Sequence, residues 1–204
     1  MVQYKFTFFD FRANAETVRL ILQYAGVPFE DNRITKEEWA KIKPTTPFGQ
    51  IPVLEVDGVQ LAQTNAIARY LAKKYGLAGK NEMETAQIDS HGEILVDFYR
   101  KGSPYIMFVR GFVDGDKEKL YKDFIESVDQ YLTVVEKLLE KSPSGFFAES
   151  GLSWVDFALA NLTLSLEQIA PEGIAHFPAI KAHCKRVHGL PQLQKYLSSR
   201  KDTI

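Results

Sequence analysis

The order of hydrophobic periods over residues 4–76 limits the folds open to this chain of 204 residues more than any other feature. YKFTFF, beginning at Tyr4, places alternate residues on opposite faces, which predicts a β-strand. AETVRLILQYAG, ending at Gly26, changes to the spacing of a helix, and PFEDNRI is a second short strand. A strand, a helix and a strand in this order favour a parallel pair with a right-handed crossover.

A hairpin and a second helix complete this half of the chain. VLEVDGVQL contains two short strands around Asp57-Gly58, a dipeptide that suits a type I′ turn. TNAIARYLAKKYG then returns to helical spacing, with Thr64 as its expected cap and Gly76 as its end. The order β-α-β-loop-β-β-α predicts an α/β thioredoxin-like domain over residues 1–76, in which helices cover four strands.

The remainder of the chain keeps a helical period. After a short linker at 77–82, we expect an all-α helical bundle over residues 83–204. Ser153 and Asp156 have the spacing of a capping box and mark the start of one helix. The expected helices lie at about 83–112, 117–140, 154–169, 178–188 and 191–198.

Composition excludes several classes of function. The 25 basic and 26 acidic residues leave a net charge of -1, which would steer neither nucleic acid nor anionic lipid to the protein. No apolar run approaches the ~18 residues that span a bilayer, and no signal segment precedes the first strand, so we expect a cytoplasmic protein. Cys184 is the only cysteine, which excludes an intramolecular disulfide and a glutaredoxin-type reductase.

Residues 47–80, PFGQIPVLEVDGVQLAQTNAIARYLAKKYGLAGK, resemble the glutathione S-transferase superfamily, and in particular its sigma class, with nematode members closest. YAGVPFEDNRI before this segment and SWVDFALA after it also fit, so the resemblance covers essentially the whole chain. It implies a homodimeric detoxification enzyme that conjugates the thiol of glutathione, its co-substrate, to apolar electrophiles. The all-α half would form the hydrophobic substrate site.

The resemblance also implies a set of glutathione contacts. Ile51-Pro52 is similar to the family's cis-proline turn, which presents backbone to the cysteinyl part of glutathione; the alternative is a proline that merely starts an edge strand. A helix start at Gln63 and Thr64 favours a carboxylate, here that of the γ-glutamyl end. The implied contacts are Phe8, Trp39, Lys43, Gln50, Ile51, Pro52, Gln63, Thr64 and, from the other subunit of a dimer, Asp97.

The resemblance suggests a second group of residues for the apolar electrophile: Phe9, Phe11, Asn14, Tyr99 and Tyr105. Each of the aromatic residues could equally belong to the core. A branch of the class that makes prostaglandins binds a metal through a tighter acidic cluster at the dimer interface. Val96 interrupts that cluster here, and the four histidines show no ligand pattern, so we expect no metal.

The first strand departs from the family at its catalytic residue. The family pattern is Tyr-Phe-Asn-Gly-Arg-Gly-Arg-Ala-Glu, whereas this chain has FFDFRANAE beginning at Phe8. The tyrosine is replaced by Phe8, both glycines are absent, and Asn14 replaces the second arginine. In the family the tyrosine hydroxyl donates a hydrogen bond to the glutathione sulfur. We therefore expect near-normal glutathione binding with weakened turnover.

Two questions stay open at this point. A low-activity binding protein of the same fold, such as a ligandin-like carrier or a structural relative, is the alternative function. Phe8 is compatible with natural divergence and with an engineered Tyr→Phe change, although the neighbouring departures at Phe11, Ala13 and Asn14 favour natural divergence.

Overall fold

The computed structural model describes residues 2–201, which form two compact units. Unit 1 comprises residues 2–77 and 190–201, and unit 2 comprises residues 78–189. Within residues 2–201, no helix is long and apolar enough to cross a membrane. The helical period of the sequence predicts that residues 190–201 belong to the all-α domain. In the structure these residues belong to unit 1. The last three residues of that expected domain lie outside the described residues.

Unit 1 is built on one mixed sheet with the strand order β2-β1-β3-β4. β1 runs parallel to β2 and antiparallel to β3, and β3 and β4 form the hairpin, so the predicted thioredoxin-like domain is confirmed. The elements are β1 (Tyr4–Phe9), α1 (Glu16–Tyr24), β2 (Glu30–Ile34), α2 (Lys36–Ile42), a 3₁₀ turn (Lys43–Thr45), β3 (Val53–Val56), β4 (Val59–Ala62), α3 (Thr64–Lys74), a second 3₁₀ turn (Pro191–Leu193) and α9 (Gln194–Ser199).

Two local predictions in unit 1 hold. Tyr4, Phe6 and Phe8 are all buried, as the alternation in β1 requires. Asp57 and Gly58 both have positive φ angles, 48° and 85°, which the type I′ turn between β3 and β4 demands.

Unit 2 is a bundle of five helices among the described residues: α4 (Glu82–Val109), α5 (Lys117–Lys141), α6 (Trp154–Ile169), α7 (Pro171–Ala175) and α8 (Pro178–His188). The predicted capping box starts α6, with Ser153 at the N-cap and Asp156 three residues on. Every residue of α6 from Trp154 to Thr163 is buried, so this helix forms the centre of the bundle.

The contact between Gly92 on α4 and the indole ring of Trp154 yields a stability prediction. A methyl group added at Gly92 would lie 2.4 Å from one ring carbon of Trp154 and 2.6 Å from another. Gly92→Ala is therefore expected to destabilise the protein by about 1–3 kcal/mol, although alanine favours helix formation. Denaturant unfolding would measure the change, with the exposed Ser90→Ala on the same helix as a control. A Gly92→Ala protein as stable as that control would contradict the prediction.

Candidate functional site

One end of the unit 1 sheet gathers the residues that the sequence marks as functional. Thr7 pairs with Val53, and Val53 pairs with Ala62 on its other side. Extending both registers by one residue sets Phe8, Pro52 and Gln63 side by side at this end. β2 is parallel to β1 and ends here too, so α2 begins at the same edge. Residues that are 55 positions apart in sequence thus meet in one row.

The middle position of this row is the peptide bond between Ile51 and Pro52, which is cis. The family resemblance predicts this cis form, and the prediction is confirmed. The alternative, a proline that merely starts an edge strand, does not account for it. Pro52 is buried and Ile51 is half-buried, and β3 begins at the next residue, Val53. The backbone of Ile51 therefore precedes the sheet pairing and lies at the rim of the sheet.

Gln63 has an unusual backbone conformation, with φ 73° and ψ 117°. A non-glycine residue in this region is strained, and strain of this kind concentrates at functional sites. Gln63 is also the N-cap of α3, so the prediction that Thr64 caps this helix is wrong: Thr64 is its first residue. Gln63 donates a hydrogen bond from Nε2 to Oε1 of Gln50 at 2.9 Å, which joins two of the predicted glutathione contacts.

The N-terminus of α3 offers hydrogen-bond donors at the same place. Among the described residues, no side chain caps this helix start. Its first N–H groups point along the helix axis, and the helix dipole adds partial positive charge. Together these features favour an anion at the start of α3.

α2 supplies an aromatic residue and a cation to this edge. A capping box formed by Thr35 and Glu38 starts the helix. Trp39 lies on α2 and is half-buried, and Lys43 begins the 3₁₀ turn that follows. The Lys43 stem runs beside Gly49, where an added Cβ would lie 3.7 Å from Lys43 Cε. Lys43 keeps its ammonium group exposed next to the loop that carries Gln50.

Phe8 is the first member of a cluster of three phenylalanine rings. Its ring centroid lies 5.6 Å from that of Phe9 and 5.3 Å from that of Phe11, both with edge-on geometry. Phe9 and Phe11 stack at 5.4 Å. Phe8 is buried at 8% exposure, whereas Phe9 and Phe11 are half-buried. This end of β1 therefore presents an apolar aromatic surface.

A fully buried arginine underlies this cluster and was not found from the sequence. Arg19 donates hydrogen bonds to the carbonyl oxygens of Phe9 and Phe11, at 3.1 and 3.0 Å, and to Oδ1 of Asp31 at 3.0 Å. Its guanidinium carbon lies 6.0 Å from the centroid of the Phe8 ring. The signal was present in the sequence, because Arg19 interrupts the apolar run of α1.

The loop that joins β1 to α1 follows this cluster. Arg12 is buried, with 1% exposure. Ala13 has a φ of 40°, in the left-handed region that favours glycine. Asn14 is exposed. The loop thus keeps a conformation that glycine would adopt with less strain.

The other predicted site residues lie on α4 in unit 2. Asp97 is exposed and accepts a hydrogen bond from Arg100 one turn away, at 3.1 Å. Tyr105 is buried, with its ring centroid 5.2 Å from that of Tyr121 and 4.9 Å from that of Phe124. Its surroundings are those of a core residue. Tyr99 is half-buried and lies edge-on to Phe98.

Two of the four histidines have structural surroundings. His183 is fully buried, and its Nε2 lies 2.7 Å from Oδ1 of Asp156. Burial lowers the pKa of His91, whose ring packs against Phe147. Over residues 2–201, no group of three or more histidine, cysteine, aspartate or glutamate side chains could hold a metal ion.

Two family models match the sequence. The model described as "Glutathione S-transferase, N-terminal domain" matches residues 4–73. The model described as "Glutathione S-transferase, C-terminal domain" matches residues 103–200. Among curated proteins, Glutathione S-transferase 1 of Ascaris suum is 42% identical over 204 residues, which cover 100% of this chain and 99% of the relative.

The chain is also similar to solved structures of glutathione S-transferases. A glutathione S-transferase from the hookworm Necator americanus, described as monomeric, has a TM-score of 0.93 at 40% identity and covers 98% of each chain. A glutathione S-transferase from Haemonchus contortus, described as Nu-class, has a TM-score of 0.89 at 40% identity and also covers 98% of each chain.

Proposed function

The chain belongs to the glutathione S-transferase family, and from that premise we propose that it binds glutathione along the edge of the unit 1 sheet and conjugates its thiol slowly to apolar electrophiles. The observation that carries this proposal is the row formed by Phe8, the cis Pro52 and the strained Gln63. Three of the four strands of the sheet contribute to it.

The chemistry of glutathione fits this edge. Glutathione is an extended peptide with two carboxylates, an amine and a thiol. The backbone of Ile51 can pair with the cysteinyl part as an added strand would. The start of α3, with Gln63 and Thr64, suits the γ-glutamyl carboxylate. Trp39 and Lys43, with Gln50, suit the glycyl end.

Phe8 determines the chemical step that we propose. In the reaction the thiol proton passes to solvent and the thiolate sulfur forms a bond to the electrophilic carbon. In a substitution the leaving group departs from that carbon as an anion; in an addition the double bond opens and its other carbon takes up a proton from solvent. Phe8 offers the sulfur no hydrogen bond, so the pKa of the thiol stays near its ordinary value of about 8.5. Only a few per cent of a thiol with that pKa is ionised at neutral pH. Position and orientation still accelerate the attack.

The electrophile that suits this site is apolar and flat. Phe9 and Phe11 stack on each other and keep part of their surface open beside Phe8. Aromatic rings bind other rings by stacking or edge contacts. Asn14 is exposed on the same loop and can contact polar substituents. Tyr99 stays a prediction for such a role, whereas Tyr105 has the surroundings of a core residue.

A carrier of apolar ligands is the second function that the sequence supports, because Phe8 removes the hydroxyl that the family uses. The two functions differ in how turnover responds to pH. An enzyme that lacks only the hydroxyl gains activity as the thiol ionises near pH 8.5, whereas a carrier stays inactive across that range. Glutathione binding together with a transferase assay between about pH 6.5 and 9 separates them.

Several finer assignments belong to the same proposal. We infer sigma-class-like chemistry without a metal, a role in detoxification in the cytoplasm, and a homodimer in which Asp97 reaches the glutathione of the other subunit. The exposed position of Asp97 supports that last role. Sedimentation of the purified protein would test the dimer, since a solved relative is described as monomeric.

Lys43→Ala tests the glutathione site directly. Lys43 is exposed, so its contact with a carboxylate contributes about 1 kcal/mol, and the dissociation constant for glutathione is expected to rise about fivefold. Lys41→Ala is the matched control, because Lys41 is an exposed cation of the same segment. Calorimetric titration measures both variants. Equal affinities for the two variants would argue against the proposed orientation of glutathione.

A further inference from the structure

The C-terminal segment, residues 190–201, contacts both ends of the loop that joins β1 to α1. Leu193 is fully buried in unit 1, which anchors the segment. The loop runs from Asp10 to Glu16 and includes Phe11 and Asn14, which the proposed function assigns to the electrophile. Contacts at its two ends therefore bear on the geometry of the proposed site.

The first contact is at Glu16, a carboxylate that is 1% exposed. Tyr196 donates its hydroxyl to both carboxylate oxygens, at 3.0 and 3.1 Å. Arg200, 7% exposed, donates to Oε1 of the same carboxylate. Burial and the charge of Glu16 raise the pKa of Tyr196, so its hydroxyl stays protonated and remains a donor at neutral pH. A buried carboxylate needs such partners, and the C-terminal segment supplies two of them.

The second contact is at Asp10, at the other end of the loop. Lys201 donates to Oδ2 of Asp10 at 2.6 Å, and Arg33 of β2 donates to Oδ1 at 2.8 Å. Hydrogen bonds from Lys201 and Arg33 lower the pKa of Asp10. This pair is more exposed than the first, at 70% for Lys201 and 41% for Asp10, so salt screens it more strongly.

The backbone between these contacts needs external support. Ala13 has a φ of 40° in a loop that lacks the glycines of the family pattern. A residue held in such a conformation persists when its surroundings overdetermine it. Arg19 holds the carbonyl groups of Phe9 and Phe11 from within the unit. Residues 190–201 hold the two ends of the loop.

We propose that Tyr196, Arg200 and Lys201 are positioning residues that hold the loop 10–16 in the geometry needed for transfer from glutathione. This inference rests on the proposed function for its catalytic consequence. It places control of turnover in residues that lie 180 to 191 positions away in sequence from their partners in the loop. The glutathione contacts at Lys43, Gln63 and Thr64 lie on other segments, so the C-terminal segment acts on turnover more than on glutathione affinity.

The test compares Arg200→Met, Arg200→Lys and Lys201→Met with Lys195→Met, which removes an exposed lysine of α9 that lies outside both contacts. Hydrogen exchange by mass spectrometry follows the amides of residues 10–16 and of the sheet. Steady-state kinetics give kcat and the KM for glutathione separately.

In Arg200→Met, we expect exchange of the loop amides to accelerate about tenfold while β1 and β3 stay protected. We expect kcat to fall about tenfold, since small misplacements are costly, with the KM for glutathione changed less than about twofold. Arg200→Lys should recover part of kcat. Lys201→Met should lower kcat by about two- to threefold, an effect that vanishes at about 1 M salt. Lys195→Met should match the parent.

Unchanged loop exchange in Arg200→Met, or an equal acceleration throughout the sheet, would overturn the proposal. A loosened loop with unchanged kcat would overturn its catalytic part. The failure of the proposed function has a different signature: the parent protein would show neither glutathione binding nor turnover, while the exchange comparison still decides whether the segment holds the loop.

Discussion

Replacing Phe8 with tyrosine is expected to raise turnover at neutral pH by about eight- to twenty-five-fold. A hydrogen bond to a charged group contributes roughly 1.5–3 kcal/mol, which lowers the pKa of the bound thiol by about 1–2 units. The fraction of thiolate rises accordingly. Phe8 is the penultimate residue of β1 and lies beside Pro52, so a hydroxyl on its ring would extend from the row at which we place glutathione.

The prediction also states how the rates of the two proteins should depend on pH. With Phe8, the rate should rise through a thiol pKa of about 8.5. With tyrosine, the same rise should occur about 1–2 pH units lower. The advantage of the tyrosine variant is therefore largest below its own thiol pKa, shrinks between that pKa and about 8.5, and is lost at higher pH. Measuring kcat/KM between about pH 6 and 9 for both proteins tests this.

A companion variant separates the hydroxyl from the packing of the ring. Phe8→Leu removes the aromatic contacts with Phe9 and Phe11 but adds no hydroxyl, so its turnover should stay at or below that of the parent. Glutathione affinity should change less than about threefold in Phe8→Tyr. An unchanged rate in Phe8→Tyr would show that Asn14 or the altered loop has already disabled the site.

Patterns that repeat along the chain predicted most of the fold. Tyr4, Phe6 and Phe8 of β1 are buried as expected, although Thr7 on the opposite face is buried as well, and α6 begins and ends at the expected residues. Hairpin chemistry at Asp57-Gly58 also predicted the turn. In each case the local sequence and the tertiary structure favour the same conformation, so the local sequence was sufficient to predict the element.

Interactions between distant segments were harder to predict. The C-terminal segment has a helical period, but its place in unit 1 depends on Glu16, a carboxylate that is buried only in the folded chain. Arg19 is tolerated on an apolar helix face because three acceptors from other segments form hydrogen bonds with its guanidinium group. The cap of α3 was misplaced by one residue, because Gln63 adopts a strained conformation that no propensity favours.

The proposed site was predictable only in part for the same reason. Phe8, Pro52 and Gln63 meet because two strand registers align them, and the family resemblance selected them before the registers were known. His183 shows the converse. Its neighbours in sequence gave no sign that it would face Asp156, which lies 27 positions away.

Removing the carboxylate of Asp156 should lower stability more than the Gly92→Ala change. Oδ1 of Asp156 accepts hydrogen bonds from the Phe147 N–H at 3.0 Å and lies 2.7 Å from His183 Nε2. Oδ2 accepts from the N–H and the hydroxyl of Ser153, at 2.6 and 2.7 Å. Asp156, His183 and Ser153 are all fully buried. One side chain thus satisfies several polar groups that water cannot reach.

Asp156→Ala is therefore expected to lower the free energy of unfolding by about 3–5 kcal/mol, because it strands buried donors and opens a cavity. Trp154 lies in unit 2 and Trp39 in unit 1, so fluorescence of Trp154 in a Trp39→Phe background follows unit 2 through denaturant unfolding. Asp129→Ala, an exposed change on α5, should stay within about 0.5 kcal/mol of the parent. Asp156→Asn keeps an acceptor oxygen, so its free energy of unfolding should lie between those of Asp156→Ala and Asp129→Ala. If Asp156→Ala lost no more stability than Asp129→Ala, the buried network would be dispensable, and the start of α6 would depend on apolar packing alone.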